Sequence, residues 1–548
     1  MHKSPVHILL VGWDGAEPEL VEPWVQRGKL PVLASLAARG ALGRVRSTMP
    51  ALTPPAWTSL VTGVDPGRHG IYSFTRPGPN YREQVVTTGD RCAPSVWQLL
   101  SATGRRVGVF NFSLSYPPEP VKGFFFSGFD SPVFGPAIAY PAEAYALATS
   151  GLRGYVHEGV DRLRDEAAEH EYTRQMLQQR DMLFRLTRRW PVEVLAVNYN
   201  AADRLHHTGW PQGWTAQQLA ASSGSAIEGS YRALDRVLGD LLAEYADEST
   251  QVLLVSDHGG GPLLGQVNLS LALEAAGLLV RRPRQRPSPL VATLKAVRRR
   301  IPQSVKGHVQ RLAGARLRHA VGARLRGTGG ADVDWSRTVA FPWGSRGFIQ
   351  VNQRGREAQG CVAPEDRDRV LTDVEACLRE LRDPVTGRPV IGLLERGETL
   401  YREPRAGHAP DLLAEGTDEE YAVKPWGDGE SPRKEIVRHF GCFHDCPRGV
   451  TANHRRWGLL ATCGPAVRPG TPVPELDLQD VAPALLYLAG EPIPAGLDGQ
   501  LNRTLWDTGA KPVLGAAAPT RAGATPAAPY TAEEQAAVEA RLAELGYM

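Results

Sequence analysis

Residues 49–74, MPALTPPAWTSLVTGVDPGRHGIYSF, set a small hydroxyl residue where an anion would be stabilised. Thr53 stands before Pro54 and Pro55, an apolar helical run follows over 56–61, and Thr62-Gly63 stops it. Proline is tolerated in a first helical turn and threonine is a good N-cap. Thr53 is therefore expected at a helix N-terminus, where backbone N–H groups and the helix dipole favour an alkoxide or a phosphate. A threonine there can equally do no more than cap its helix.

In four other places an acid or an imidazole lies beside the end of an apolar run. HILLVGW at 7–13 ends in Asp14-Gly15, and the run at 194–198 precedes Asp203 and His207, spaced four apart. QVLLVS at 251–256 ends in Asp257-His258, and His454 precedes WGLLAT at 457–462. Carboxylates and imidazoles are the usual ligands for zinc and related ions. Each residue also has a plainer use. Asp14 could cap the next helix, Asp203 and His207 could pair along one, and Asp257-His258 could turn a loop. His454 has rival company in Cys442, His444 and Cys446, although that spacing fits no zinc-finger pattern well. His69, in a helix-to-turn segment, reads as structural, and His206 is one residue off the D-x-x-x-H spacing.

Elements that would hold these residues are readable along the chain. Strands are expected at 41–47, 107–112, 193–198, 251–256 and 347–351, and short ones at 389–394 and 411–414. Helices are expected at 18–26, 30–38, 95–101, 163–190, 227–245, 364–381, 478–488 and 531–545. Strands alternating with helices argue for a parallel sheet covered on both faces, with sites just outside the strand ends.

The 548 residues, 42% hydrophobic and 22% charged, suit a large globular core, and a net charge of +3 is too small to imply a polyanion partner for the whole chain. The exception is local: residues 281–330 are rich in Arg and Lys, hold no Asp or Glu, and are broken by Pro283, Pro287, Pro289 and Pro302. They read as a basic helical insert, either a solvated face or an arm for an anionic membrane surface, nucleic acid or a large phosphorylated substrate. The expected division is a core at 1–280 and 331–508, the insert at 281–330, and an Ala/Pro-rich linker with a terminal helix at 509–548. Six scattered cysteines do not form a disulfide framework. No membrane-span-length apolar run and no secretory signal is visible, which points to the cytoplasm.

Taken in order, Asp14, Thr53, Asp203-x-x-x-His207, Asp257-His258 and His454, with the strings TPPAW…LVTGVDPGRHGI, LLVSDHGGG and NHRRWGLLATCGPAVRPG, resemble the alkaline phosphatase superfamily. The resemblance is closest to its type I phosphodiesterase/nucleotide pyrophosphatase branch, and it runs from about His7 to about Trp506. It implies an α/β alkaline phosphatase-like core and two divalent metal ions, zinc or else manganese. Asp203, His207 and His454 would hold one ion. Asp14, Asp257, His258 and Thr53 Oγ1 would hold the other. Thr53 would attack phosphorus to give a phospho-threonine, which water then hydrolyses. The implied substrates are phosphate-ester small molecules or nucleotide-like compounds. One departure is visible: Phe74 stands where the family pattern has an Asn that contacts a phosphate oxygen. Among the rivals, a sulfatase would need C-x-P-x-R, and Cys92-Ala-Pro94-Ser-Val96 lacks the Arg and lies outside the Thr53 loop. A metal-dependent phosphomutase normally uses a Ser nucleophile. A phosphomonoesterase or phosphonate hydrolase of the same superfamily stays open, as does a non-catalytic anion binder using the basic insert.

Overall fold

The computed structural model describes residues 6–152, 165–282, 332–403, 409–426, 435–441, 446, 449–517 and 530–544. Nearly all of the basic insert, Cys442, His444 and much of the Ala/Pro-rich linker lie outside these residues. Eight strands form the central sheet: β1 (Ile8–Trp13), β2 (Gly40–Arg46), β3 (Val107–Phe110), β4 (Gly123–Phe126), β5 (Ala139–Tyr140), β6 (Val194–Tyr199), β7 (Gln251–Val255) and β8 (Trp457–Cys463). Their order is β2-β8-β7-β1-β6-β3-β4-β5. β7, β1, β6, β3 and β4 run parallel, while β8 lies antiparallel to β7 and β2, and β5 antiparallel to β4. The protein is thus a mixed α/β fold with a mostly parallel sheet, as its alternating pattern predicts.

The continuous apolar runs follow from burial on both faces. Leu9, Val11 and Trp13 of β1 point to one side, into a layer with Trp24, Leu36, Leu183 and Tyr231. Ile8 and Leu10 point to the other, against Trp57, Leu60, Trp97 and Leu485. Side chains alternate along a strand, so a strand covered by helices on both faces has no polar positions to spare. The covering helices include α1 (Pro18–Gln26), α2 (Pro31–Ala38), α3 (Thr53–Thr62), α4 (Asp165–Arg189), α5 (Ala201–Gly209), α6 (Ala226–Tyr245) and α7 (Val481–Leu488).

A second, antiparallel sheet joins Ala340–Trp343, Gly347–Val351, Leu412–Gly416 and Ile391–Arg396. Helix Arg367–Arg379 packs on it through Leu371 and Val374, against Ile349, Val351 and Leu412. The last described helix, α8 (Ala532–Glu544), returns to the segment before α3, where Val538 and Leu542 meet Leu52, Phe74 and Val85. Among the described residues, no helix is long and apolar enough to cross a membrane.

Candidate active site

Strand direction gathers the candidate residues along one edge. β1 and β7 run parallel, so Asp14 and Asp257-His258, which follow them, leave the sheet side by side. β6 is parallel as well, and α5 after it carries Asp203 and His207. β8 runs the opposite way, so the residues before it reach the same edge. There Ala452–Arg455, bearing His454, pairs with Gly259–Pro262. Gly259 and Gly260 permit this ribbon. A Cβ at Gly259 would sit 2.3 Å from Glu17 Oε2, and one at Gly260 would sit 2.3 Å from His206 Nδ1.

Thr53 differs from expectation in one respect. It does not cap α3: Leu52 is the cap residue, with extended φ −140° and ψ 135°, and Thr53 is already helical. Its hydroxyl is therefore not spent on the helix. It is 1% exposed, and Oγ1 lies 3.3 Å from His258 Nε2. Nor does Asp14 cap α1, since Glu17 accepts the Glu19 N–H there at 2.9 Å.

All seven candidates form one chain of contacts. His258 Nε2 is 3.8 Å from Asp14 Oδ1 and 3.4 Å from Asp257 Oδ2. Its ring stacks on that of His454 at 3.7 Å. His454 Nε2 lies 3.0 Å from His207 Nε2 and 3.4 Å from Asp203 Oδ1, and His207 Nε2 lies 3.3 Å from that same oxygen. Two sets of ligating atoms each lie within 4.8 Å of one another: Asp203, His258 and His454; and Asp14, Asp257 and His258. His258 belongs to both.

The donor chemistry fits cations. Each imidazole donates from Nδ1 to a main-chain carbonyl: His207 to Ala452 at 3.2 Å, His258 to Gly259 at 2.9 Å, His454 to Ala51 at 2.8 Å. That tautomer turns the Nε2 lone pair into the site, the arrangement of metal-ligating histidines. In neutral rings the lone pairs of His207 and His454 then face each other at 3.0 Å, a repulsion that a cation removes. Asp14 Oδ1 and Asp257 Oδ2 are buried with no hydrogen-bond partner, so two carboxylate oxygens there are left for a cation.

Protonation tells the same story. Burial, and then the neighbouring Asp203, pushes the Asp14 carboxyl up to about 7. Burial and Asp14 raise Asp257 well above the carboxylate range. Burial opposes the charge on Asp203 too, but His207 and His454 outweigh it and hold that carboxyl well below its usual range. Burial pushes the His258 imidazolium down to about 4 and holds that of His454 well below the usual imidazole range. Neutral imidazoles beside crowded carboxyls are what bound cations would reverse on the acids and use on the histidines.

Several supports had no visible signal of their own. Trp57 Nε1 donates to Asp14 Oδ2 at 3.0 Å. It lies four residues after Thr53, one helical turn on, which is the only hint the sequence offers. Ser256 Oγ accepts from Ala16 N at 2.8 Å and donates to the His258 carbonyl at 2.6 Å, bracing the Asp257-His258 turn. His69 and His206 face elsewhere. His69 Nδ1 accepts from Ile71 N at 3.1 Å with Nε2 2.9 Å from Ser59 Oγ, and His206 Nε2 meets Tyr231 OH at 3.3 Å. Cys446 directs its thiol to Gln212 at 3.2 Å.

Among solved structures, phosphonoacetate hydrolase from Sinorhizobium meliloti 1021 in complex with phosphonoformate is similar, at 15% identity and TM-score 0.48, over 89% of this chain and 95% of that one. Murine ectonucleotide pyrophosphatase/phosphodiesterase 5 is similar at 12% identity and TM-score 0.47, over 92% and 100%. No curated protein matches. The family profile described as type I phosphodiesterase/nucleotide pyrophosphatase matches residues 8–441, a span that holds six of the seven clustered side chains and stops before His454. With most of its length matched, the chain belongs to the type I phosphodiesterase/nucleotide pyrophosphatase family, and it is a phosphoric ester hydrolase.

Proposed function

We propose that the protein hydrolyses phosphate esters through a phospho-threonine on Thr53, with two divalent cations held by Asp203, His207 and His454 and by Asp14, Asp257, His258 and Thr53. The observation that carries this reading is the placement of Thr53 Oγ1 at 3.3 Å from His258 Nε2, the imidazole whose ligating atom lies within 4.8 Å of Asp14 and Asp257 on one side and of Asp203 and His454 on the other. Bound there, the cations would neutralise phosphoryl charge and ease loss of the threonine proton. The side chains account for the rest. Thr53, fixed in the first turn of α3, attacks phosphorus in line, so the Oγ–P bond forms as the ester oxygen leaves. Water then attacks phosphorus and breaks the Thr–O–P bond, restoring the hydroxyl and releasing phosphate or a phosphate monoester. Zinc is the ion that three imidazoles with three carboxylates favour, with manganese the alternative. The family points first to diesters and nucleotide pyrophosphates.

The test is hydrolysis of bis-p-nitrophenyl phosphate by protein of measured metal content. Wild type should turn over and chelation should abolish it. Thr53→Ala should keep its metal and lose about 10³-fold or more in turnover, about 4 kcal/mol of barrier. A metal-loaded wild type inert towards every phosphate mono- and diester would defeat the proposal.

A further inference from the structure

The family resemblance places a phosphate-contacting Asn at position 74, and this chain has Phe there. Phe74, at the family's Asn position, is buried and committed to packing with Leu52, Val85, Val538 and Leu542. The adjacent Ser73 directs its hydroxyl to Ser345 Oγ at 3.0 Å.

A cation stands beside this loop. Arg204 follows Asp203 on α5, is 4% exposed, and holds its guanidinium carbon 4.3 Å from the centre of the Phe129 ring. Phe129 in turn packs on the Leu52 and Phe74 cluster, so the guanidinium is carried on a ring that touches the wall of the nucleophile loop. That platform is held in place. Arg541 of α8 donates to the carbonyls of Phe129 and Ser131, and Asp130 between them accepts from Leu114 N at 2.6 Å and Ser113 Oγ at 2.9 Å. On α5, Arg204 lies three residues before His207, a spacing that makes the two neighbours on the helix surface. Its charge reaches Asp14, where it offsets part of the cost of burial.

We propose that Arg204 is a substrate-contacting residue, whose guanidinium takes the nonbridging phosphoryl oxygen that the missing Asn would have taken. This rests on the hydrolase reading above and adds a selectivity to it. An amide offers a neutral donor, whereas a guanidinium brings two donors and a full positive charge. The exchange of Asn for Arg therefore favours the doubly charged phosphoryl group of a monoester or phosphonate over the singly charged group of a diester.

The test uses metal-loaded wild type, Arg204→Met and Arg204→Lys, each checked for melting temperature and metal content. Affinity for inorganic phosphate is read by calorimetry, and kcat/KM is read on p-nitrophenyl phosphate and on bis-p-nitrophenyl phosphate. Arg204→Met, which keeps an apolar stem over Phe129, should weaken phosphate binding. It should also cut monoester kcat/KM on the order of 10²–10³-fold, with a clearly smaller loss on the diester. Arg204→Lys should recover part of the monoester loss. Equal losses on both esters, or unchanged phosphate affinity, overturn the proposal and leave Arg204 as packing. Should Arg204→Met not fold, the same comparison between wild type and Arg204→Lys decides. A wild type that hydrolyses neither ester sinks the hydrolase reading instead, while the calorimetry still judges Arg204.

Discussion

Thr53 shows how one dihedral decides a role. A threonine one position earlier would have turned its oxygen back onto the helix N-terminus. Here Leu52 takes the cap position, without a side-chain bond, and the hydroxyl is left facing His258. Trp57, one helical turn on, does for Asp14 what the carbonyls of Ala51, Ala452 and Gly259 do for the imidazoles, fixing the side chain's orientation from behind. Trp57→Phe keeps the ring in its apolar layer and deletes only the N–H. Such outer partners typically matter about 10–100-fold. Metal titration should show that loss in affinity with little change in melting temperature. Unchanged metal affinity would make the indole mere packing.

At the scale of elements, the second sheet offers a pH test. Asp383 is buried, and its carboxyl accepts from Tyr421 OH at 2.7 Å, from His439 Nδ1 at 2.8 Å, and from Val385 and Thr386 N at 2.8 and 2.9 Å. Burial alone would raise it, but these bonds, that from His439 foremost, outweigh burial and hold the carboxyl well below its usual range. A carboxyl depressed on folding stabilises the protein above its unfolded pKa of about 3.9 and loses that contribution as pH falls below it. Asp383→Asn should therefore cost about 1–3 kcal/mol at neutral pH, with a gap from wild type that narrows below about pH 4 in urea titrations. An equal gap at both pH values would remove the ionised carboxyl from the account. Elements that bury both faces were legible in the sequence: β1, β6, β7 and β8 are apolar runs, and their ends mark Asp14, Asp203, Asp257 and His454. The ribbon that carries His454 was not. GGGP and ANHR have no strand pattern, and what suits them to pair is tertiary: Glu17 and His206 approach so closely that only glycine fits at 259 and 260. The Thr53 cap was misplaced by one residue because propensity cannot say which of two neighbours turns extended.

Across the whole molecule, the site draws on groups from Asp14 to His454, so ligand binding and global folding are linked. Between them lies the stretch from 283 to 331. Its flanks are adjacent: Arg282 N donates to the Asp332 carbonyl at 2.7 Å, and Arg281 Nη1 meets Asp332 Oδ1 at 2.6 Å. A short Gly-Ser link can therefore replace residues 283–331 without moving either flank, because closing a short loop between touching ends costs little. The excised protein should melt within a few degrees of the parent, about 1 kcal/mol or less, and keep its small-substrate hydrolysis. Collapse of the fold on excision would instead make the stretch part of the core. The same surgery changes the protein's electrical character. Those residues carry twelve Arg and Lys and no Asp or Glu, in a chain whose total is only +3. Without them Asp and Glu outnumber Lys and Arg, so the shortened enzyme should leave the cation exchanger and bind the anion exchanger at neutral pH, the behaviour of an acidic hydrolase whose excess positive charge sits in one stretch.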